Sequence, residues 1–143
     1  MVYKIKTKIF KSISLFIIGG TVYYLTEILW RGSSHISMAI VGGICFLIIG
    51  SINNFIPWEL GLLQQSLIGS GIITLMEFIS GLILNKWLDL NIWDYSNLPF
   101  NLFGQICLLY ILLWIPLSTF AIIFDDWCKY LLFGDEKPHY KII

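Results

Sequence analysis

Charge is scarce in this sequence of 143 residues: Asp, Glu, Lys and Arg make up 13%, about half of what a soluble domain carries, while 57% of the residues are hydrophobic. Formal net charge is zero, which excludes a global field that would draw nucleic acid or a strongly charged partner. The three cysteines, Cys45, Cys107 and Cys128, show no CxxC spacing, so neither a disulfide framework nor a zinc site is favoured. Phosphate-binding, zinc-protease and nucleophile-elbow signatures are missing as well; no cofactor, no metal and no catalytic set is expected from motifs. His35 stands alone on a short turn, which makes a weak metal ligand.

Long apolar runs are what the sequence does have, and mean hydropathy reaches +0.80. A membrane helix needs about 20 predominantly apolar residues. Four segments meet that requirement, at about 12–30, 36–53, 61–84 and 102–124. The reading is an all-α integral membrane protein, a four-transmembrane-helix bundle forming one membrane domain over 1–143. The first apolar run follows a basic stretch as a signal peptide would, but it continues to about Trp30 without a small-residue cleavage site, so it is read as a retained span. Lys4, Lys6, Lys8 and Lys11 precede the first span and Lys129, Lys137 and Lys141 follow the last, with only Arg31 and Lys86 between them. By the positive-inside rule both termini are cytoplasmic. The Arg31–His35 turn and the Asn85–Asn101 loop then face outward, and the Asn54–Leu60 turn with Pro57 faces the cytoplasm.

An ionisable side chain inside a span costs roughly 2.5–3.5 kcal/mol on insertion scales, so each one needs a reason. Glu27 lies near the outer end of the first span, on the face of Gly20, Tyr23, Trp30 and Arg31, and Arg31 is its i,i+4 partner. Glu77 lies in the third span with Ser66, Ser70, Ile73, Ser80 and Gly81 on its side, a small and polar stripe that permits close helix approach. No basic residue sits within a turn of Glu77, so its partner must come from another helix, from water or from a bound proton. With this topology Glu27, Arg31 and Glu77 share outer-leaflet depth with Asp94, Tyr95, Asn101 and Gln105 of the outer loop, and these seven residues form the candidate binding site for a substrate or ion.

Structural alternatives stand beside each of them. Asn101 reads equally as the N-cap of the fourth span, Glu27 with Arg31 as a structural ion pair, and Asp94–Asn97 as a turn. Trp87, Trp93 and Tyr95 read first as an aromatic belt. Asp125 and Asp126, at the cytoplasmic exit, read as solvated anchors. Ala39 and Gly43, a small-xxx-small pair, mark helix packing or a dimer seam, and Pro116 a kink.

The stretch LMEFISGLILNKWLDLNIWDYSNLPFNLFGQICLLYILLW, Leu75 to Trp114, carries in order a glutamate before an apolar-Ser-Gly step, WDYS, PFNL and GQICL, and TEILWRG at Thr26–Gly32 adds a glutamate and an arginine. On these motifs the chain resembles the putative ABC-transporter type IV family, also called CmpB-like. The family pattern falls on Glu27, Arg31, Glu77, Gly81, Trp93, Asp94, Tyr95, Ser96, Pro99, Asn101, Gly104 and Gln105. The resemblance implies a small multi-pass transport protein or permease-like subunit in a bacterial plasma membrane. Beyond the lipid bilayer, its expected partners are a second copy of the chain, as a homodimer or other homo-oligomer, and an ATPase. Two further functions compete with transport: a membrane scaffold or regulator whose polar cluster binds a partner, and an enzyme acting on a lipid-linked substrate with Glu77 and Asp94 as acid and base.

Overall fold

The computed structural model describes residues 1–57 and 59–143; Trp58, inside the Asn54–Leu60 turn, lies outside the described residues. Its elements in order are α1 (Val2–Arg31), α2 (Ile36–Gly50), the single-turn α3 (Ile52–Phe55), α4 (Leu62–Gly81), a π-helical continuation of α4 (Leu82–Trp87), β1 (Asn101–Leu102), β2 (Ile106–Cys107) and α5 (Leu108–Phe133). The protein is all-α apart from that short hairpin, and four of its helical stretches, Val2–Arg31, Ile36–Phe55, Leu62–Trp87 and Leu108–Phe133, are long and apolar enough to cross a membrane.

Burial is inverted relative to a water-soluble protein. Leu, Ile and Phe crowd the outer surface, whereas Gln65, Ser66, Ser70, Ser80, Ser118, Glu27, Glu77 and Asp125 are buried. Lipid offers apolar side chains no incentive to turn inward, so helices associate through small residues and interhelical hydrogen bonds. The α1/α2 seam illustrates this. A Cβ at Gly20 would lie 2.4 Å from the Ala39 carbonyl oxygen, and one at Gly42 would lie 2.7 Å from Tyr23. The Ala39/Gly43 pair therefore packs against α1 of the same chain. Across α4 and α5, Ser66 and Thr119 hydroxyls share a 2.6 Å hydrogen bond, and Ser70 donates to the Ile111 carbonyl at 2.8 Å. α2 joins the two pairs, while α1 touches α5 much less.

Three boundaries depart from the hydropathy reading. α1 starts at Val2, and thirty residues span about 45 Å, so its lysine-bearing turns project beyond a hydrocarbon layer of about 30 Å. α4 continues past Leu84 as the π-helix. The fourth helix starts at Leu108, not at 102, because Asn101 pairs with Cys107 and Leu102 with Ile106 in an antiparallel hairpin. Asn101 accordingly does not cap α5: its side-chain amide donates to the Ser96 and Leu98 carbonyls, and its oxygen accepts from Gly104 N–H.

The start of α1 and the end of α5 lie at one end of the bundle, where Lys11 pairs with Asp135. The C-terminal tail reaches the same end and supplies the Lys141 and Ile142 carbonyls to the free amides of Leu62 and Leu63, capping α4.

Candidate functional site

The 88–107 loop is rigidified by its own polar residues. Asn85, buried in the π-helical turn, donates to the Gln105 side chain at 2.9 Å and accepts from Ile92 N–H at 2.7 Å. Trp93 Nε1 donates to the Gln105 carbonyl at 3.0 Å, and Trp93 is buried, so it belongs to the loop core and not to an aromatic belt. Asp94 Oδ1 accepts from Ser96 N–H at 2.9 Å, an Asx turn that holds its carboxyl below the usual aspartate range. Gly104, at φ +68, places its Cα where a Cβ would meet Asp94 Oδ1 at 2.7 Å. Glycine answers both demands there.

This loop delivers Tyr95 onto the helices. Its hydroxyl donates to Glu77 Oε1 at 2.8 Å while its ring stacks on Tyr110 at 4.5 Å between centroids, with an interplanar angle of 11°. Burial, then the adjacent Glu77 carboxylate, push the Tyr95 hydroxyl far above the usual tyrosine range, so it stays protonated. From α5, Trp114 Nε1 donates to Glu77 Oε2 at 2.9 Å. The partner missing from α4 is thus supplied by a loop and by another helix, one donor to each oxygen.

Glu27, 6% exposed, is held the same way: Arg31 Nη1 donates to Oε1 and the Ser34 hydroxyl to Oε2, each at 2.6 Å. Arg31 also donates through Nη2 to the Ile92 carbonyl at 2.6 Å, tying the end of α1 to the loop. A cavity of about 360 Å³ between α1 and α5 is lined by Glu27, Arg31, Tyr23, Tyr95, Tyr110 and Trp114, among others. A second, of about 80 Å³, is lined by Glu77 and shares Tyr23 and Trp114 with the first.

Four of the seven candidate residues, Glu27, Arg31, Glu77 and Tyr95, therefore line two cavities that share walls. The other three do not line them: Asp94 and Asn101 are exposed and Gln105 is buried, and all three build the loop that presents Tyr95. Asp94 Oδ1 is engaged by Ser96 N–H on the loop, whereas the Glu77 oxygens are engaged by Tyr95 and Trp114. Sequence reasoning missed Trp114, Tyr110 and Ser34, while Tyr23 was placed on the face of Glu27 without a role. Trp114 carried a usable signal, since an indole N–H inside a membrane span must find an acceptor.

A second polar cluster lies at the opposite end. Asp125 is fully buried, its Oδ2 2.6 Å from Lys129 Nζ, which also donates to the Gly50 carbonyl at 2.5 Å. Asp126 accepts from the Tyr140 hydroxyl at 2.8 Å. Neither aspartate is a solvated anchor; α2 and the C-terminal tail cover them.

The family model described as Putative ABC-transporter type IV matches residues 14–133, a span that takes in the whole loop and every residue of the two polar clusters except Tyr140. The chain belongs to this family. It is an ABC-transporter-type membrane protein, and its four apolar helices fit a lipid bilayer. Neither the curated proteins nor the solved structures contain a match to it.

Proposed function

We propose that this protein is the membrane-spanning subunit of a transport system, with Glu77 as the group that binds a transported cation or proton. Glu27 and Arg31 set the field beside it, and the loop from Asp94 to Gln105 gates the site from the outer face, both termini being cytoplasmic. The supporting observation is the division of labour at Glu77: one oxygen is held by Tyr95 from the loop and the other by Trp114 from α5. An indole N–H can only donate, so Oε2 remains an acceptor in every state, whereas a phenol can donate or accept. A proton arriving on Oε1 would be met by Tyr95 turning from donor to acceptor without moving a heavy atom. A cation arriving there would compete with Tyr95 and loosen the loop, which couples occupancy to the gate.

An ATPase partner would dock at the opposite end, on the lysine-bearing start of α1, the Asn54–Leu60 turn and the tail. The test is flux into liposomes containing the purified complex, with Glu77→Gln as the variant. That substitution preserves two hydrogen-bonding positions and should abolish cation or proton movement while the fold persists by circular dichroism. Normal flux in a folded variant would end the assignment.

A further inference from the structure

The cavity between α1 and α5 is walled by six aromatic side chains, Tyr23, Trp30, Tyr95, Tyr110, Trp114 and Phe120. They form a connected surface in part: Tyr95 stacks on Tyr110, and Tyr110 meets Trp114 at 5.8 Å between centroids with a 42° tilt. At about 360 Å³ the space lies at the lower end of small-molecule pockets, roughly 300–1,000 Å³. It lies along the membrane-spanning helices, and its edge residues Trp30 and Phe120 are 68% and 52% exposed, so it opens toward lipid.

The charge of the site turns on its two carboxylates. Arg31 is the only basic residue lining either of the two cavities among the described residues, and it is engaged by Glu27. With both carboxylates ionised, Glu77 is left without a countercharge. A small hard cation would need about six or more oxygen ligands, yet all four carboxylate oxygens already accept hydrogen bonds, the Thr26 hydroxyl is engaged by the Val22 carbonyl, and the rest of the groove is tyrosine, tryptophan and phenylalanine rings and aliphatic chains. A large, weakly hydrated cation needs no such shell. It needs aromatic faces, which attract positive charge most strongly when desolvated, and one negative charge nearby.

We propose that this groove binds a monovalent hydrophobic organic cation of the quaternary ammonium or phosphonium class, entering from the bilayer, with the aromatic walls around its charge and Glu77, in the adjoining cavity behind Tyr95 and Trp114, as its counter-ion. The proposal rests on the transport reading and names its substrate class.

The probe is tetraphenylphosphonium, with tetraphenylborate as an anion of matching size and shape, measured by equilibrium dialysis against the purified full chain in detergent. Saturable binding of the phosphonium is expected, with none of the borate. Glu77→Gln should weaken it at least tenfold, and Tyr110→Leu, which breaks no hydrogen bond to the carboxylate, about tenfold. Equal uptake of both ions, or unchanged phosphonium binding in Tyr110→Leu, would overturn the proposal even where the glutamine variant fails to fold. Binding without flux would sustain the groove and refute transport. Inorganic cation or proton flux that depends on Glu77, with no phosphonium binding, would do the reverse.

Discussion

Replacing Tyr95 by Phe removes one oxygen and leaves the ring stacked on Tyr110, so its cost isolates the hydrogen bond to Glu77. Glu77 is 8% exposed, so water cannot readily replace the lost donor. A hydrogen bond to a charged acceptor contributes about 1.5–3 kcal/mol, and a neutral one about 0.5–1.5 kcal/mol. Tyr95→Phe should therefore destabilise the protein by about 1.5–3 kcal/mol when Glu77 is present. In a Glu77→Gln background the hydroxyl faces a neutral amide, and the same change should cost about 1 kcal/mol. The difference, a coupling of about 1 kcal/mol, is read from a double-mutant cycle of reversible unfolding in mixed micelles, followed by tryptophan fluorescence. Equal costs in the two backgrounds would refute an anionic Glu77. A cost below about 0.5 kcal/mol with Glu77 intact would refute the contact itself.

Three further outcomes are expected. Lys129→Ala strands Asp125, whose side chain is 1% exposed, and should cost about 3–5 kcal/mol, most of it recovered by adding Asp125→Asn; a loss under about 1 kcal/mol would show that the pair is not buried together. Gly104→Ala must adopt a left-handed backbone against Asp94, at about 1–2 kcal/mol, and should speed proteolysis within 88–107; an unchanged cleavage rate would count against the hairpin geometry. Asp94 has its folded value lowered by Ser96 N–H, so its support of the loop is fully present above the usual aspartate value of about 3.9 and is lost as pH falls through the lower folded value. Loop protection measured by hydrogen exchange should decline in that acidic window in the parent protein and show no such inflection in Asp94→Asn.

What could be read from sequence divides along a physical line. Apolar runs located the four helices because a span must be apolar wherever it meets lipid, and the Glu27–Arg31 pair was legible because both partners sit on one helix at i,i+4. Glu77 stood out as an ionisable residue on a small, polar stripe, but its donors come from Tyr95 and Trp114, 18 and 37 residues away, and helical periodicity says nothing about partners at that distance. The start of α5 was misplaced because Asn101–Cys107 is apolar enough to extend a span. A four-residue ladder and a positive-φ glycine decide otherwise. Asp125 and Asp126 looked solvated because depth along one helix was the available measure. Their cover is Gly50 of α2 and Tyr140 of the tail, which only tertiary packing brings there.

On the transport reading the two polar clusters must communicate, and the packing indicates which joint would have to move. Trp114 and Asp125 are eleven residues apart on α5, about 16 Å along its axis. Between them lies the cavity of about 80 Å³ walled by Phe46, Ile49 and Phe124, among others. The α1/α2 seam cannot open it cheaply, since glycines there bring backbone against side chain with no slack. The α1/α5 face is different: it is sparsely packed, it holds the aromatic groove, and α5 carries Pro116, whose missing amide weakens the helix at that level. Two polar ties bracket this face, Arg31 to the Ile92 carbonyl at the loop end and Lys11 to Asp135 at the other. On that reading, a ligand seated between Tyr23 and Tyr110 would press on an interface tied at its two ends by Arg31 and Lys11.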